Sequence, residues 1–218
     1  MTRPQAARAA FINSGQVCLC CERMLVERSV YAEFRAGLVA AAKAIRVGDP
    51  AQHGVQNGSV IHQVHLDKVK RYLALAAEEG GEVLCGGGAP ADLPAHVAGG
   101  AFIEPAVVDG LAHSSRFAQE EVFGPVTSLH AFDTEEEAVA MANGTDFGLA
   151  ASVWTADGAK ANRVAQGIET GMVWTNSWLH RDLRVAFGGA KDSGVGREGG
   201  HHSIECYSQV KNICNKIR

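Results

Sequence analysis

Apolar and polar positions along this chain follow two periods, and the places where one gives way to the other mark the elements. Over residues 31–45, Phe34, Leu38, Val39 and Ala42 fall three to four apart on one face, which predicts an amphipathic helix closed by Gly48-Asp49-Pro50. A second long helix is predicted over 62–79, stopped by Gly80-Gly81. The alanine-rich run 4–11 carries good helix formers and halts at the turn signal Asn13-Ser14-Gly15. Short β-prone runs at 24–27, 82–85 and 101–108 read as strands. From residue 126 the two kinds of run alternate: strand 126–132, helix 135–143, strand 149–154, helix 159–168, strand 172–175. Strands alternating with helices of about ten residues predict an α/β fold with right-handed crossovers and a parallel sheet. In the tail, Cys206, Val210, Ile213 and Ile217 are spaced four, three and four apart, which by periodicity alone favours a helix.

Composition narrows the class. The 218 residues are 46% hydrophobic and 20% charged, ordinary for a globular protein able to bury a sizeable core. The 25 glycines point to many tight turns between short elements. A net charge of −4 gives no electrostatic reason to expect nucleic acid or an anionic membrane as partner. No apolar run is long enough to span a bilayer, and the first residues, Met-Thr-Arg-Pro-Gln-Ala-Ala-Arg, lack an apolar signal core. Six cysteines in this context read as reduced thiols in a cytoplasm.

The clearest chemical candidate lies in Phe11-Ile-Asn-Ser-Gly-Gln-Val-Cys18. Cys18 falls on a glycine-bearing bend between the helix at 4–11 and the strand at 24–27, so its side chain is held on fixed backbone. A thiol attacks carbonyls as thiolate, and an unperturbed cysteine has a pKa of about 8.5. Backbone N–H groups clustered at a bend lower it and also suit a developing oxyanion. Against this, most lone cysteines are inert packing. Cys18-Leu-Cys-Cys21 is also formally C-x-x-C, but no second C-x-x-C or H-x3-H pair follows, so no metal is expected. A thioredoxin-like pair follows a strand and opens a helix; here the order is reversed. Further on, Gln119-Glu-Glu-Val-Phe-Gly-Pro-Val126 sets a carboxylate beside an aromatic and a backbone-fixing Gly-Pro. That suits a ribose and a flat ring, although paired glutamates are most often a solvated face.

Two glycine clusters are read as structural. Gly86-Gly-Gly88 lacks the Gly-Lys-Ser/Thr and following helix of a phosphate loop. Gly194-x-Gly196-x-x-Gly199 is formally a dinucleotide fingerprint, but the 19 residues after it are too few for the rest of a βαβ unit.

Phe11-x-Asn13-x-Gly15-Gln16-x-Cys18 with Arg23 resembles the active-site signature of the aldehyde dehydrogenase superfamily, as do Glu120-Glu121-x-Phe123-Gly-Pro-Val and Phe187-Gly-Gly-x-Lys-x-Ser-Gly-x-Gly-Arg-Glu-x-Gly. The likeness runs through essentially the whole chain. It implies that Cys18 is the nucleophile forming a thiohemiacetal, that Glu121 binds a ribose and Phe123 borders a nicotinamide. It also implies NAD as cofactor, with NADP left open, and a small-molecule aldehyde as substrate. Substrate-side positions are then Val17 and the loop after the strand at 172–175, which carries Arg181, Arg184 and Phe187. In this superfamily the tail is a short helix followed by a strand that pairs with a neighbouring subunit, implying a homodimer or homotetramer. The resemblance assigns 1–202 to the catalytic thiol domain and 203–218 to the oligomerisation strand. Relatives are more than twice as long, with a cofactor domain ahead of this region that carries the general-base glutamate and oxyanion asparagine. The chain therefore reads as the C-terminal catalytic half, expected to be inactive alone.

Trp178-Leu-His-Arg-Asp-Leu-Arg184 further resembles the muconic semialdehyde dehydrogenases, whose 2-hydroxymuconic or 2-aminomuconic substrates carry a carboxylate away from the aldehyde. Loop arginines are usually plain surface charge. A guanidinium in a substrate wall nevertheless matches two carboxylate oxygens, and Arg181 is the first choice for that clamp, Arg184 the second. The alternatives are a non-catalytic interaction subunit of the same fold, a thiol redox protein using Cys18 and Cys21, or another semialdehyde such as succinic semialdehyde.

Overall fold

The computed structural model describes residues 2–217, and the backbone divides into two compact units, 1–144 and 145–218. The first runs α1 (Arg3–Phe11), a 3-10 turn (Ile12–Gly15), β1 (Arg23–Glu27), α2 (Arg28–Lys43), α3 (Gln63–Glu78), β2 (Glu82–Cys85), β3 (Ala106–Asp109), α4 (Arg116–Gln119), β4 (Val126–Phe132) and α5 (Glu135–Asn143). Its four strands lie in the order β1-β4-β3-β2. β4 is flanked by parallel neighbours, Arg23 opposite Ser128 and Ala106 opposite Val126. The parallel sheet expected from the alternating pattern is therefore present, with the correction that β2 joins its edge antiparallel to β3.

Strand side chains alternate between faces, and the sheet uses both. Ala106, Val108 and Val126 point into a core with Leu66, Val69 and Ala76 of α3 and Phe117 of α4. Val107 and Leu129 point the other way, onto Ala6, Ala10 and Phe11 of α1 and Leu38 and Ala42 of α2. Phe11 and Leu38 are fully buried, each contributing roughly 1.5–3 kcal/mol from apolar burial. The long helices fall where the apolar spacing predicts. α2 begins at Arg28 rather than at residue 31, and Arg28 forks onto Asp133 at 2.6 and 2.8 Å. The strand expected over 101–108 is shortened to its last part. Pro105 has no N–H to give a ladder, and Glu104 exchanges backbone bonds with Gly87 and Gly88 instead.

α5 shows how local sequence fixes an element. Thr134 accepts from the Glu137 N–H at 3.2 Å, and Glu137 reaches back to the Asp133 N–H at 2.7 Å, a reciprocal cap. Glu135, Glu136 and Glu137 place negative charge at the positive end of the helix dipole.

The second unit holds β5 (Phe147–Gly148), β6 (Ala150–Val153), α6 (Gly158–Gly167), β7 (Met172–Thr175), β8 (Ala190–Lys191) and α7 (Gly200–Tyr207). β6 and β7 are parallel and joined by α6; β5 pairs antiparallel with β8. The tail is helical only to Tyr207, and residues 208–217 have no regular secondary structure.

Candidate active site

The turn carrying Cys18 is locked by its own polar residues. Asn13 and Ser14 take left-handed φ of 52° and 55°, and Gly15 follows at 70°. Asn13 Nδ2 donates to the Gln16 carbonyl at 3.1 Å, and Gln16 Oε1 accepts the Ile61 N–H at 2.9 Å. Ser14 Oγ donates to the Gly58 carbonyl at 2.9 Å. Beyond the turn, the Cys20 N–H returns to the Val17 carbonyl at 2.8 Å and the Cys21 N–H to Ala9 at 2.9 Å. Val17 is half-buried, Leu19 is buried, and Cys18 is left exposed at the crest.

The neighbouring thiols differ from it. Burial pushes the Cys20 thiol up to about 12 and the Cys21 thiol up to about 11, the latter despite Arg23 beside it. Both are held in the thiol form more firmly than an ordinary cysteine, which makes them poorer nucleophiles. Arg23, part of the signature, points away from the turn. Its guanidinium donates to the Met141 and Ala142 carbonyls at 3.1 and 3.2 Å, closing the C-terminal end of α5, with His113 Nε2 at 2.6 Å.

The second motif is pinned against this turn. A Cβ on Gly15 would lie 1.9 Å from the Gly124 carbonyl oxygen, so the two stretches meet backbone to backbone. Glu22 then accepts the N–H groups of Val122 at 3.0 Å and Phe123 at 2.7 Å. Burial pushes its carboxyl up to about 7, against the pull of those two hydrogen bonds toward the ionised form. His65 Nε2 donates to the Phe123 carbonyl at 2.7 Å, and Lys68 Nζ to the Glu121 carbonyl at 3.0 Å. Phe123 itself is left-handed at φ 59°.

The glutamate pair separates by environment. Glu120 accepts from Tyr72 at 2.7 Å and from Arg116 at 2.8 Å, which holds its carboxyl below the usual range. Glu121 is exposed, and its carboxylate makes no hydrogen bond among the described residues. An unengaged carboxylate beside an aromatic of fixed backbone fits the hydroxyls and flat ring of a nicotinamide nucleotide. Glu22, His65 and Lys68 escape a reading by motif. The one trace they leave is the three-residue spacing of His62, His65 and Lys68, which sets a polar stripe along α3.

In the second unit the loop after β7 carries the two arginines, and they differ. Arg184 forks onto Asp182, with Nε at 2.9 Å from Oδ1, and both are exposed. Arg181 stacks over the Phe187 ring, 4.0 Å from its centroid, and has no ion pair among the described residues. The glycine-rich segment props this loop. Phe187 and Glu198 exchange N–H···O bonds at 2.8 Å, and the Gly200 N–H reaches the Leu183 carbonyl at 3.1 Å. Gly199 is held tightly against the same loop, where a Cβ would lie 2.2 Å from the Val185 carbonyl oxygen.

With fold and site in place, comparison with known proteins gives the class. The aldehyde dehydrogenase family profile matches residues 2–213, and the chain belongs to that family. It is 48% identical over 210 residues to a 2-hydroxymuconic semialdehyde dehydrogenase of Pseudomonas putida, and 45% identical to a 2-aminomuconic semialdehyde dehydrogenase of Danio rerio. Each alignment covers 96% of this chain and 43% of the relative, so the chain spans less than half the length of the curated relatives it matches. Among solved structures, betaine aldehyde dehydrogenase of Staphylococcus aureus in complex with NAD+ superposes with a TM-score of 0.90 at 35% identity, covering 98% of this chain and 44% of that one. An aldehyde dehydrogenase of Mycobacterium tuberculosis complexed with NAD+ does so with a TM-score of 0.90 at 38% identity, covering 95% and 42%.

Proposed function

We propose that the chain is the thiol-bearing portion of an NAD-dependent aldehyde dehydrogenase that oxidises a carboxylate-bearing semialdehyde, 2-hydroxymuconic or 2-aminomuconic, to the acid. Cys18 is the nucleophile: its sulfur bonds to the aldehyde carbon and the carbonyl oxygen takes up a proton, giving a thiohemiacetal. Bound NAD+ would supply the hydride acceptor; the thiohemiacetal gives up that hydride and its hydroxyl proton to become a thioester on Cys18, which water hydrolyses to the acid and the free thiol. Glu121 accepts hydrogen bonds from a ribose and Phe123 borders the nicotinamide. Val17 lies on the substrate side of Cys18, and Arg181, steadied by Phe187, holds the distal carboxylate. The observation that carries this reading is the exposed Cys18 on a rigid turn pinned directly to the Glu121–Phe123 loop. The choice of substrate rests on Arg181 having no ion pair among the described residues where Arg184 is taken by Asp182.

Residues 203–218 serve assembly in this reading, with exposed Tyr207, Val210, Ile213 and Ile217 covered by a second copy. All six cysteines are free, which fits the cytoplasm, and no described helix is long and apolar enough to cross a membrane. The deciding experiment mixes the full-length protein with NAD+ and a muconic semialdehyde, follows NADH, and traps the acyl-enzyme by acid quench and peptide mass mapping. NADH formation with an acyl mass on the Cys18 peptide supports the proposal; no NADH, or acylation elsewhere, overturns it.

A further inference from the structure

We infer that Glu22 and His65 are a pair of positioning residues whose joint task is to hold Phe123 in a left-handed backbone conformation. The inference rests on the reading that Phe123 borders the nicotinamide. Phe123 sits at φ 59°, a region that residues with a Cβ enter rarely and keep only when their surroundings enforce it. Its peptide groups are grasped from both sides. Glu22, from the segment after the nucleophile turn, accepts the Phe123 N–H at 2.7 Å and the Val122 N–H at 3.0 Å. His65, in the first turn of α3, donates from Nε2 to the Phe123 carbonyl at 2.7 Å; a carbonyl only accepts, so the proton resides on Nε2.

The next residue closes off relaxation. A Cβ on Gly124 would meet Val69 Cγ2 at 2.5 Å, and the Gly124 carbonyl is covered by Gly15. The loop therefore cannot swing toward α3 or toward the nucleophile turn, and the two hydrogen-bonding side chains select the remaining conformation. Neither residue reaches a reacting atom in this arrangement. Each acts through Phe123, and Glu22 ties the ring's position to the turn that carries Cys18.

The test uses the full-length protein with three substitutions: His65→Leu, which removes the donor; His65→Gln, whose amide restores one; and Glu22→Ala, which removes both acceptors. His65 lies in the first turn of a helix and is only half-buried, so its variants carry the test if Glu22→Ala does not fold. The readouts are NAD+ affinity by titration calorimetry, kcat and KM for NAD+, and crystal structures of the variants. Expected are a departure of Phe123 from the left-handed region in His65→Leu, a roughly tenfold weaker Kd and higher KM for NAD+, a smaller change in kcat, and recovery in His65→Gln. Phe123 remaining near φ 59° in both His65→Leu and Glu22→Ala overturns the inference, as does a released Phe123 with NAD+ affinity unchanged. If the unsubstituted protein binds no NAD+ while the variants still release Phe123, the functional reading falls and the clamp stands.

Discussion

Gly15 and Gly124 meet with no room for a side chain on Gly15: a methyl group there would lie 1.9 Å from the Gly124 carbonyl oxygen. Gly15 also sits at φ +70°, where L side chains are strained. Gly15→Ala should therefore cost about 2–4 kcal/mol, from overpacking against backbone plus the left-handed penalty. Gly99→Ala, with nothing within 4 Å of the added methyl, is the matched control and should leave the melting temperature nearly unchanged. Thermal denaturation of the two variants checks this, and equal melting temperatures would contradict the close contact.

Cys18 is exposed on a turn held by other residues, so its thiol adds little to packing. Cys18→Ala should abolish aldehyde oxidation in the full-length protein while leaving the melting temperature within about a degree. Cys21→Ala should show the reverse pattern, with activity kept and some stability lost through the vacated volume. Turnover assays paired with melting curves separate the two, and equal loss of activity from Cys21→Ala would favour a paired-thiol mechanism.

Arg181 and Arg184 differ in their partners, and substrate kinetics should show it. Arg181→Ala should raise KM for a muconic semialdehyde and lower kcat/KM by one to two decades, the worth of a charge-assisted bond of roughly 1.5–3 kcal/mol. An uncharged aldehyde of similar length should be oxidised almost as before. Arg181→Lys should recover part of the loss, because an ammonium keeps the charge without the planar fork. Arg184→Ala releases only an exposed pair with Asp182 and should leave both substrates unaffected. A selective loss in Arg184→Ala alone would move the clamp to that residue.

His130 and Glu22 should oppose each other in the pH dependence of stability. His130 is buried, with Ser128 Oγ at 3.0 Å, and burial followed by the neighbouring His113 and Arg23 pushes its pKa down to about 4. The unfolded chain binds that proton first, so the His130 contribution is present above pH 6.5 and is lost as pH falls toward 4, up to ~3 kcal/mol. Glu22 is raised to about 7, so its contribution is present below pH 4.5 and is lost as pH rises through 7. Denaturant unfolding across this range should show a shallow net slope. Relative to the parent, His130→Gln should fall more steeply as pH rises, and Glu22→Gln more steeply as pH falls. Parallel curves for all three proteins would remove both assignments.

What the sequence made legible was what is decided locally. The Cys18 turn is written in Asn13, Gly15 and Gln16, which bond to one another or supply the backbone angles themselves. β4 and α5 follow from an apolar run after Gly-Pro and from the Thr134 cap, and the spans expected for both match the structure. The remainder depends on partners far along the chain. Glu22 reaches Phe123 across 101 positions and His65 across 58, and no spacing rule announces such a pair. Arg28, at the start of α2, pairs with Asp133, 105 positions away. The glutamate pair shows the limit most clearly: the motif marks both, and only the folded surroundings show that Glu120 is occupied and Glu121 is open.

The half-burial of Cys20 and Cys21 beside an open Cys18 makes this turn addressable by selective labelling. Cys18, Cys206 and Cys214 are exposed residues, while Cys20 and Cys21 are half-buried and Cys85 is buried. With Cys206 and Cys214 replaced by serine, a mild alkylating probe should tag Cys18 first, while the two adjacent thiols keep their protons and react slowly. The rate of tagging then becomes a direct gauge of how far a bound aldehyde or nucleotide shields the turn, read without any turnover at all.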